Sequence, residues 1–142
     1  MKLICSKANL LKGVNIVSKA VPTRTTMAIL ECILIDASAN EIKLMANDME
    51  LGIETIIDGT IEERGIIALD AKIFSEIVRK LPDNDVTIET DASFKTVISC
   101  EKAKFQEWSI CFRGSRSNPE VRLLLSIWQP SNMRRGKVKM VN

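Results

Sequence analysis

Residues 70–82, with the sequence DAKIFSEIVRKLP, contain the clearest secondary-structure pattern of the chain. They predict an amphipathic helix capped by Asp70, because a carboxylate there can accept a free backbone N–H of the first turn. Pro82 ends the helix, since the residue before a proline disfavours the helical conformation. Apolar residues at helical spacing predict one buried stripe. Its members are Ile73, Phe74, Ile77, Val78 and Leu81.

A helix of the same kind is predicted 64 residues earlier, where Ser6 stands in place of Asp70 as the cap. A short apolar strand precedes each helix and paired strands follow it. We therefore predict an α+β fold of two strand–helix–strands units, with both helices packed on one face of a shared antiparallel sheet. The apolar residues four, eight and eleven positions after each cap correspond: Leu10, Val14 and Val17 in the first helix, Phe74, Val78 and Leu81 in the second.

Basic residues occupy the side of both helices that points away from the predicted sheet. At ~100° per residue, the shared apolar positions fall about 20–80° from the cap and the basic ones at roughly 180–280°. A solvated basic face is common on amphipathic helices, so solvation alone is one interpretation. The other interpretation is a phosphate-binding surface. It is favoured because two such faces occur on a segment of negative net charge. The basic residues are Lys12, Lys19, Lys72, Arg79 and Lys80, and one acid, Glu76, shares their side.

Charge changes along the chain at the end of this repeat. Residues 1–105 carry 13 basic and 16 acidic side chains, a net charge of −3, whereas residues 106–142 carry 7 and 2, a net charge of +5. We predict a first domain over residues 1–112 and an atypical basic tail over residues 113–142. The composition leaves disorder of the tail open, and an altered reading frame is a further hypothesis for the break.

Composition also excludes several kinds of catalytic site. None of the 142 residues is His or Tyr, so neither a Ser-His-Asp triad nor a Cys-His pair can form within this chain. The four cysteines include no Cys-x-x-Cys pair, which favours buried reduced thiols and no metal site. Without a secretory signal or a run of ~20 apolar residues, we expect a cytoplasmic protein. The cysteines are Cys5, Cys32, Cys100 and Cys111.

Paired carboxylates offer an alternative hypothesis, a metal-dependent enzyme. Asp48 with Glu50 and Asp83 with Asp85 are the candidate pairs. The second pair lacks the glycine and the distal glutamate of a calcium loop, and no positioned base or nucleophile accompanies either pair. We therefore expect a non-catalytic binding module without a cofactor.

Residues 1 to about 105 resemble the first domain of the bacterial β sliding clamp, the processivity subunit of DNA polymerase III. The order and spacing of several segments carry the resemblance more than any one of them. The chain departs from the family at Met27-Ala28, where a proline is usual, and in the tail, which resembles no later clamp domain. The segments are MKLI at 1–4, LLK at 10–12, VSKAV at 17–21, RTT at 24–26, IL at 29–30, ILI at 33–35, LMANDME at 44–50, AK at 71–72 and EIVRKLP at 76–82.

The resemblance implies a ring around duplex DNA, built head-to-tail from chains of three such domains, with helices lining the hole and sheets outside. It implies that the basic face meets phosphates without reading bases, and that a subunit interface lies near Lys72 and Phe105. Other clamp subunits, DNA polymerase III and the clamp loader are the further partners implied, and no membrane. The implied DNA-binding residues are Lys12, Lys19, Arg24, Lys72, Arg79 and Lys80.

Two functions remain open from the sequence. One is a sliding-clamp domain that moves on duplex DNA during replication. The other is a clamp-derived fragment that folds but neither forms a ring nor recruits polymerase, because the tail does not resemble the later domains.

Overall fold

Two α-helices and ten strands make up the part of the chain that the computed structural model describes, residues 1–25, 28–48, 51–93, 95–108 and 138–141. Two short 3-10 turns, Ser18–Ala20 and Ala28–Glu31, lie between the first helix and the second strand. In chain order the elements are β1 (Lys2–Ser6), α1 (Lys7–Val17), β2 (Cys32–Asp36), β3 (Ile42–Asn47), β4 (Gly52–Ile57), β5 (Thr60–Glu63), β6 (Ile66–Asp70), α2 (Ala71–Lys80), β7 (Asp85–Thr90), β8 (Lys95–Cys100), β9 (Ala103–Trp108) and β10 (Val138–Val141).

Both helices begin at the predicted caps. The Ser6 hydroxyl accepts a hydrogen bond from the backbone N–H of Asn9 at 3.2 Å, and the Asp70 carboxylate accepts one from that of Ile73 at 2.9 Å. Each side chain satisfies a donor that the first turn of a helix leaves unpaired. Regular α1 ends at Val17 and continues as a 3-10 turn to Ala20, after which Val21 is extended, as is usual for a residue before a proline.

The strands form two sheets instead of the single shared sheet that the sequence predicted, although the α+β class is confirmed. The first sheet has the order β5-β1-β7-β8-β9 and the second β10-β4-β3-β2-β6. The strand before each helix joins the strands that follow the other helix: β1 pairs antiparallel with β7, and β6 pairs antiparallel with β2. The two repeated units therefore interlock. Periodicity shows which residues face the core but not which strand is the neighbour, so one sheet and two look alike in the sequence.

One hydrophobic core lies between the two helices and the two sheets. Helix α1 packs against β1 of the first sheet and against β3 and β4 of the second, while α2 packs against β9 and β6. The two helices also pack against each other. Their predicted apolar residues are buried together with residues of both sheets, and the helix sides opposite this core face outward. The helix residues in the core include Leu10, Val14, Val17, Phe74, Ile77, Val78 and Leu81.

Ile73 is the exception to the predicted stripe, because 49% of its surface is exposed. The buried arc of α2 is centred near Phe74 and Val78. A residue one position before Phe74 lies about 100° around the helix axis and therefore falls beyond the edge of this arc. The prediction that Ile73 belongs to the core was wrong.

Cys5, Cys32 and Cys100 are buried and form no disulfide bond within the described residues, as the cysteine spacing predicted, and Cys111 lies outside them. Burial, assisted by the nearby charge of Asp85, raises the pKa of the Cys5 thiol to about 12. A thiol in this state is a poor nucleophile, because the reactive species is the thiolate. Cys5 therefore acts as a small apolar core residue.

Candidate nucleic-acid interface

The outward sides of the two adjacent helices carry exposed basic side chains. Because Leu10 and Val14 of α1 and Phe74 and Val78 of α2 turn toward the core, the residues on the far side of each helix point into solvent. We call this surface the helix face and define it by Lys12, Lys19, Lys72, Arg79 and Lys80, all of which are exposed. Lys19 lies in the 3-10 turn that extends α1.

The loop after this turn brings a further cation toward the helix face. Val21, Pro22 and Thr23 line a surface cleft together with Asp70 and Lys72, so the loop lies beside the N-terminus of α2. Arg24 follows directly in the loop and is exposed. The structure therefore places the sixth predicted DNA-binding residue on a segment that adjoins the helix face.

Two lysines on the outward surfaces of the sheets, Lys2 and Lys43, are paired with carboxylates. The Lys2 ammonium lies 3.1 Å from carboxylate oxygens of both Glu62 and Glu89, and that of Lys43 lies 3.4 Å from an oxygen of Glu54. Hydrogen bonds to Glu89 and then Glu62 raise the pKa of Lys2 above its ordinary value. These cross-strand pairs neutralise the charges of Lys2 and Lys43.

The cations of the helix face differ from Lys2 and Lys43 in this respect. Within the described ranges, no ion pair of 4.0 Å or less holds Arg24 or any of the five cations of the helix face. Arg79 and Lys80 stand in the last turn of α2, where the carbonyl end of the helix dipole favours positive charge. The helix face therefore presents positive charge to solvent, and its ammonium and guanidinium groups remain available to an anionic ligand.

The two residues predicted at a subunit interface lie on elements that touch. Lys72 is exposed in the first turn of α2, and Phe105 is half-buried on β9, where it packs against the core. Helix α2 contacts β9, which is the last strand in the order of the first sheet. Ile73, the exposed apolar residue beside Lys72, was not among the residues predicted at the surface. The helical angle of Ile73, which lies outside the apolar arc, could have identified it as an exposed residue.

The carboxylate pairs of the enzyme hypothesis do not come together as a metal site in the described residues. Asp48 accepts a hydrogen bond from the backbone N–H of Leu51 at 2.6 Å and so stabilises the turn between β3 and β4. Its predicted partner, Glu50, lies outside the described residues. Asp83 is exposed in the turn before β7, and Asp85 is exposed as the first residue of this strand. Within the same ranges no group of three or more Cys, Asp or Glu side chains is arranged to hold a metal ion.

The two helices of the described residues are too short and too polar to cross a membrane.

Comparisons of both sequence and structure relate this chain to bacterial beta sliding clamps. The family model described as DNA polymerase III beta subunit, N-terminal domain, matches residues 1–111. The beta sliding clamp of Synechocystis is 38% identical over 114 residues, which are 75% of this chain and 29% of that protein. The beta sliding clamp of Bacillus subtilis is 41% identical over 113 residues, 74% of this chain and 30% of that protein.

Solved structures extend this similarity to three dimensions. A protein assigned as a DNA polymerase III beta subunit, from Eubacterium rectale, is 88% identical with a TM-score of 0.76 over 81% of this chain and 33% of its own. The DNA polymerase sliding clamp of Bacillus subtilis is 38% identical with a TM-score of 0.75 over 78% of this chain and 31% of its own. The chain thus spans about a third of the length of the relatives it matches.

Proposed function

The chain belongs to the family of the DNA polymerase III beta subunit, and on that premise we propose that it serves as the N-terminal domain of a replicative sliding clamp. The helix face and Arg24 contact the phosphates of duplex DNA without reading its sequence. The domain performs no chemistry and acts as part of a processivity factor. Its body is residues 1–112, followed by the basic tail of residues 113–142.

The observation that supports DNA contact at the helix face is that, among the described residues, its exposed cations are not held in ion pairs. Lys2 and Lys43 on the sheets have carboxylate partners within 3.4 Å, whereas no ion pair in the described part of the chain holds the helix-face cations. Binding to the phosphate backbone is driven by release of counterions, which requires cations that are not already neutralised. Phosphate contacts position a protein on DNA but do not specify a sequence. Such contacts suit a protein that must slide.

The partners proposed for the whole protein come from the family. They are other clamp subunits or domains, DNA polymerase III and the clamp loader. Lys72 and Phe105 contribute to the contact with a neighbouring subunit, on the side of the domain where α2 meets β9. A clamp-derived fragment that forms no ring is not favoured over a clamp by the similarity to beta sliding clamps.

Removing three cations from α2 tests the proposed DNA surface. We expect the combined variant Lys72→Ala, Arg79→Ala and Lys80→Ala to bind a labelled duplex of about 30 base pairs at least tenfold more weakly at about 50 mM salt. The slope of log affinity against log salt should fall by up to ~0.9 for each phosphate that the variant no longer neutralises. Fluorescence anisotropy between about 50 and 200 mM salt measures both quantities. Stability should change by less than about 1 kcal/mol, since the residues are exposed.

A matched control removes three cations from the outward surfaces of the sheets. Lys2→Ala, Lys43→Ala and Lys95→Ala change the net charge by the same amount, but these side chains lie on the strand faces opposite the core. We expect this control to bind DNA within about twofold of the unaltered chain, because long-range effects of its charges are screened. Equal losses of affinity in the two variants, or no loss in either, would contradict DNA contact at the helix face.

A further inference from the structure

One acid, Glu76, stands in the middle of the basic surface of α2. Its side chain is exposed, as are those of Lys72 one turn before it and Lys80 one turn after it. Arg79 is three residues further along the helix, on the neighbouring part of the same side. Residues four apart on a helix are surface neighbours, separated by about 6 Å along the axis. Glu76 therefore interrupts a row of cations at its centre.

The carboxylate of Glu76 makes no close polar contact in the described part of the chain. It is exposed, whereas the helix is capped by Asp70, whose carboxylate accepts the N–H of Ile73. In that part of the chain no ion pair of 4.0 Å or less and no hydrogen bond joins Glu76 to another residue. Its negative charge is thus directed outward with the cations, unlike those of Glu62, Glu89 and Glu54, which are paired with lysines.

We propose that Glu76 limits how tightly the helix face holds the phosphates of duplex DNA. The inference rests on the proposed function, because it assumes that the helix face meets DNA. A carboxylate one turn from Lys72 and Lys80 lies well within the Debye length of about 10 Å at 0.1 M salt, and so repels a phosphate that these cations attract. Glu76 keeps each contact weak, which allows the protein to leave one set of phosphates and move to the next.

Neutralising this one charge tests the proposal. Glu76→Gln keeps the size and helix propensity of the side chain, so folding is not expected to change. We expect the full chain to bind a labelled duplex of about 30 base pairs two- to fivefold more tightly at about 50 mM salt, with the ratio approaching one as salt rises and screens the charge. Glu76→Lys changes the charge by two units, so its ratio should be about the square of that for Glu76→Gln.

The matched control is Glu89→Gln, which makes the same change in net charge on β7. Glu89 is exposed on the strand face opposite the core, next to Lys2. We expect this variant to bind DNA within about 1.5-fold of the unaltered chain, because its charge lies on the far side of the sheet. If Glu76→Gln gained no more affinity than Glu89→Gln, the proposed role of Glu76 would be wrong.

The same experiment separates failure of this inference from failure of the proposed function. If the α2 variant without Lys72, Arg79 and Lys80 loses DNA affinity while Glu76→Gln behaves like its control, only the inference is contradicted. If the α2 variant binds like the unaltered chain, or if none of the proteins binds the duplex, the proposed DNA surface is contradicted and the inference falls with it.

Discussion

Replacing Val78 by Asp is expected to abolish cooperative folding of the domain. Val78 is fully buried on α2, in the core shared by both helices and both sheets. A carboxylate at this position would have no charged partner and would lose its hydration, which costs several kcal/mol even after the group takes up a proton. Because single domains are stable by only about 5–15 kcal/mol, this change can remove most of the stability. Circular dichroism during urea and thermal unfolding measures the effect.

Ile73→Asp is the matched control for this prediction. It introduces the same side chain into the same helix, at a position that is 49% exposed. We expect its unfolding free energy to stay within about 1 kcal/mol of that of the unaltered chain, as for most surface substitutions. If Val78→Asp unfolded cooperatively at a midpoint close to that of Ile73→Asp, the placement of the α2 stripe in the core would be wrong.

Replacing Gly13 by Val is expected to lower the free energy of unfolding by about 1–3 kcal/mol, the usual cost of overpacking a core. Gly13 is buried on α1, where this helix packs on the second sheet. A Cβ atom added to it would lie 2.8 Å from Cγ2 of Ile57 and 2.8 Å from Cδ1 of Leu44. The Leu44 methyl can move, but Cγ2 of Ile57 is fixed close to its backbone, so the helix must shift away from β4.

Helix propensity alone predicts the opposite sign for this substitution. Glycine costs about 1 kcal/mol in a helix relative to alanine, and valine costs less, so Gly13→Val would stabilise an isolated helix. Asn15→Val provides a comparison at an exposed position of α1, where packing does not contribute. Equilibrium urea unfolding of both variants measures the difference. An increase in stability for Gly13→Val would show that α1 does not pack closely on the second sheet.

The helices and their buried sides were predictable because their causes are local. Ser6 and Asp70 accept hydrogen bonds from residues only three positions away, and the apolar stripes depend only on helical spacing. The 64-residue repeat followed from the same signals. Ile73 was predicted wrongly because adjacent apolar residues on a helix need not lie in the same arc, and the rotation of α2 is set by packing against β6 and β9.

The division into two sheets was not predictable in the same way. Strand β1 pairs with β7, whose paired residues lie 79 to 87 positions later, and the alternation within each strand is the same whichever partner it has. The sequence therefore indicated strands before and after each helix, but it did not identify the exchange of β1 and β6 between the two units.

The residues of the candidate site could be predicted from the sequence. That no ion pair holds them within the described residues could not. The exposed cations of α1 and α2 followed from helical angles. Lys2 and Lys43 look like equally available lysines in the sequence, and their partners Glu89 and Glu54 are brought close only by the register of neighbouring strands. The contrast between the paired lysines Lys2 and Lys43 and the helix-face cations, which no ion pair holds in the described residues, thus required the structure.

Nuclear magnetic resonance can map which side of the domain contacts duplex DNA. A nitrogen-15-labelled chain is titrated with an unlabelled duplex of about 30 base pairs at low salt, where phosphate contacts are strongest. We expect the largest shifts to fall on amide signals of α1 and α2, around Lys12, Lys72 and Arg79. Shifts concentrated on the strands around Lys2 and Lys43, with the helices unchanged, would contradict DNA contact at the helix face.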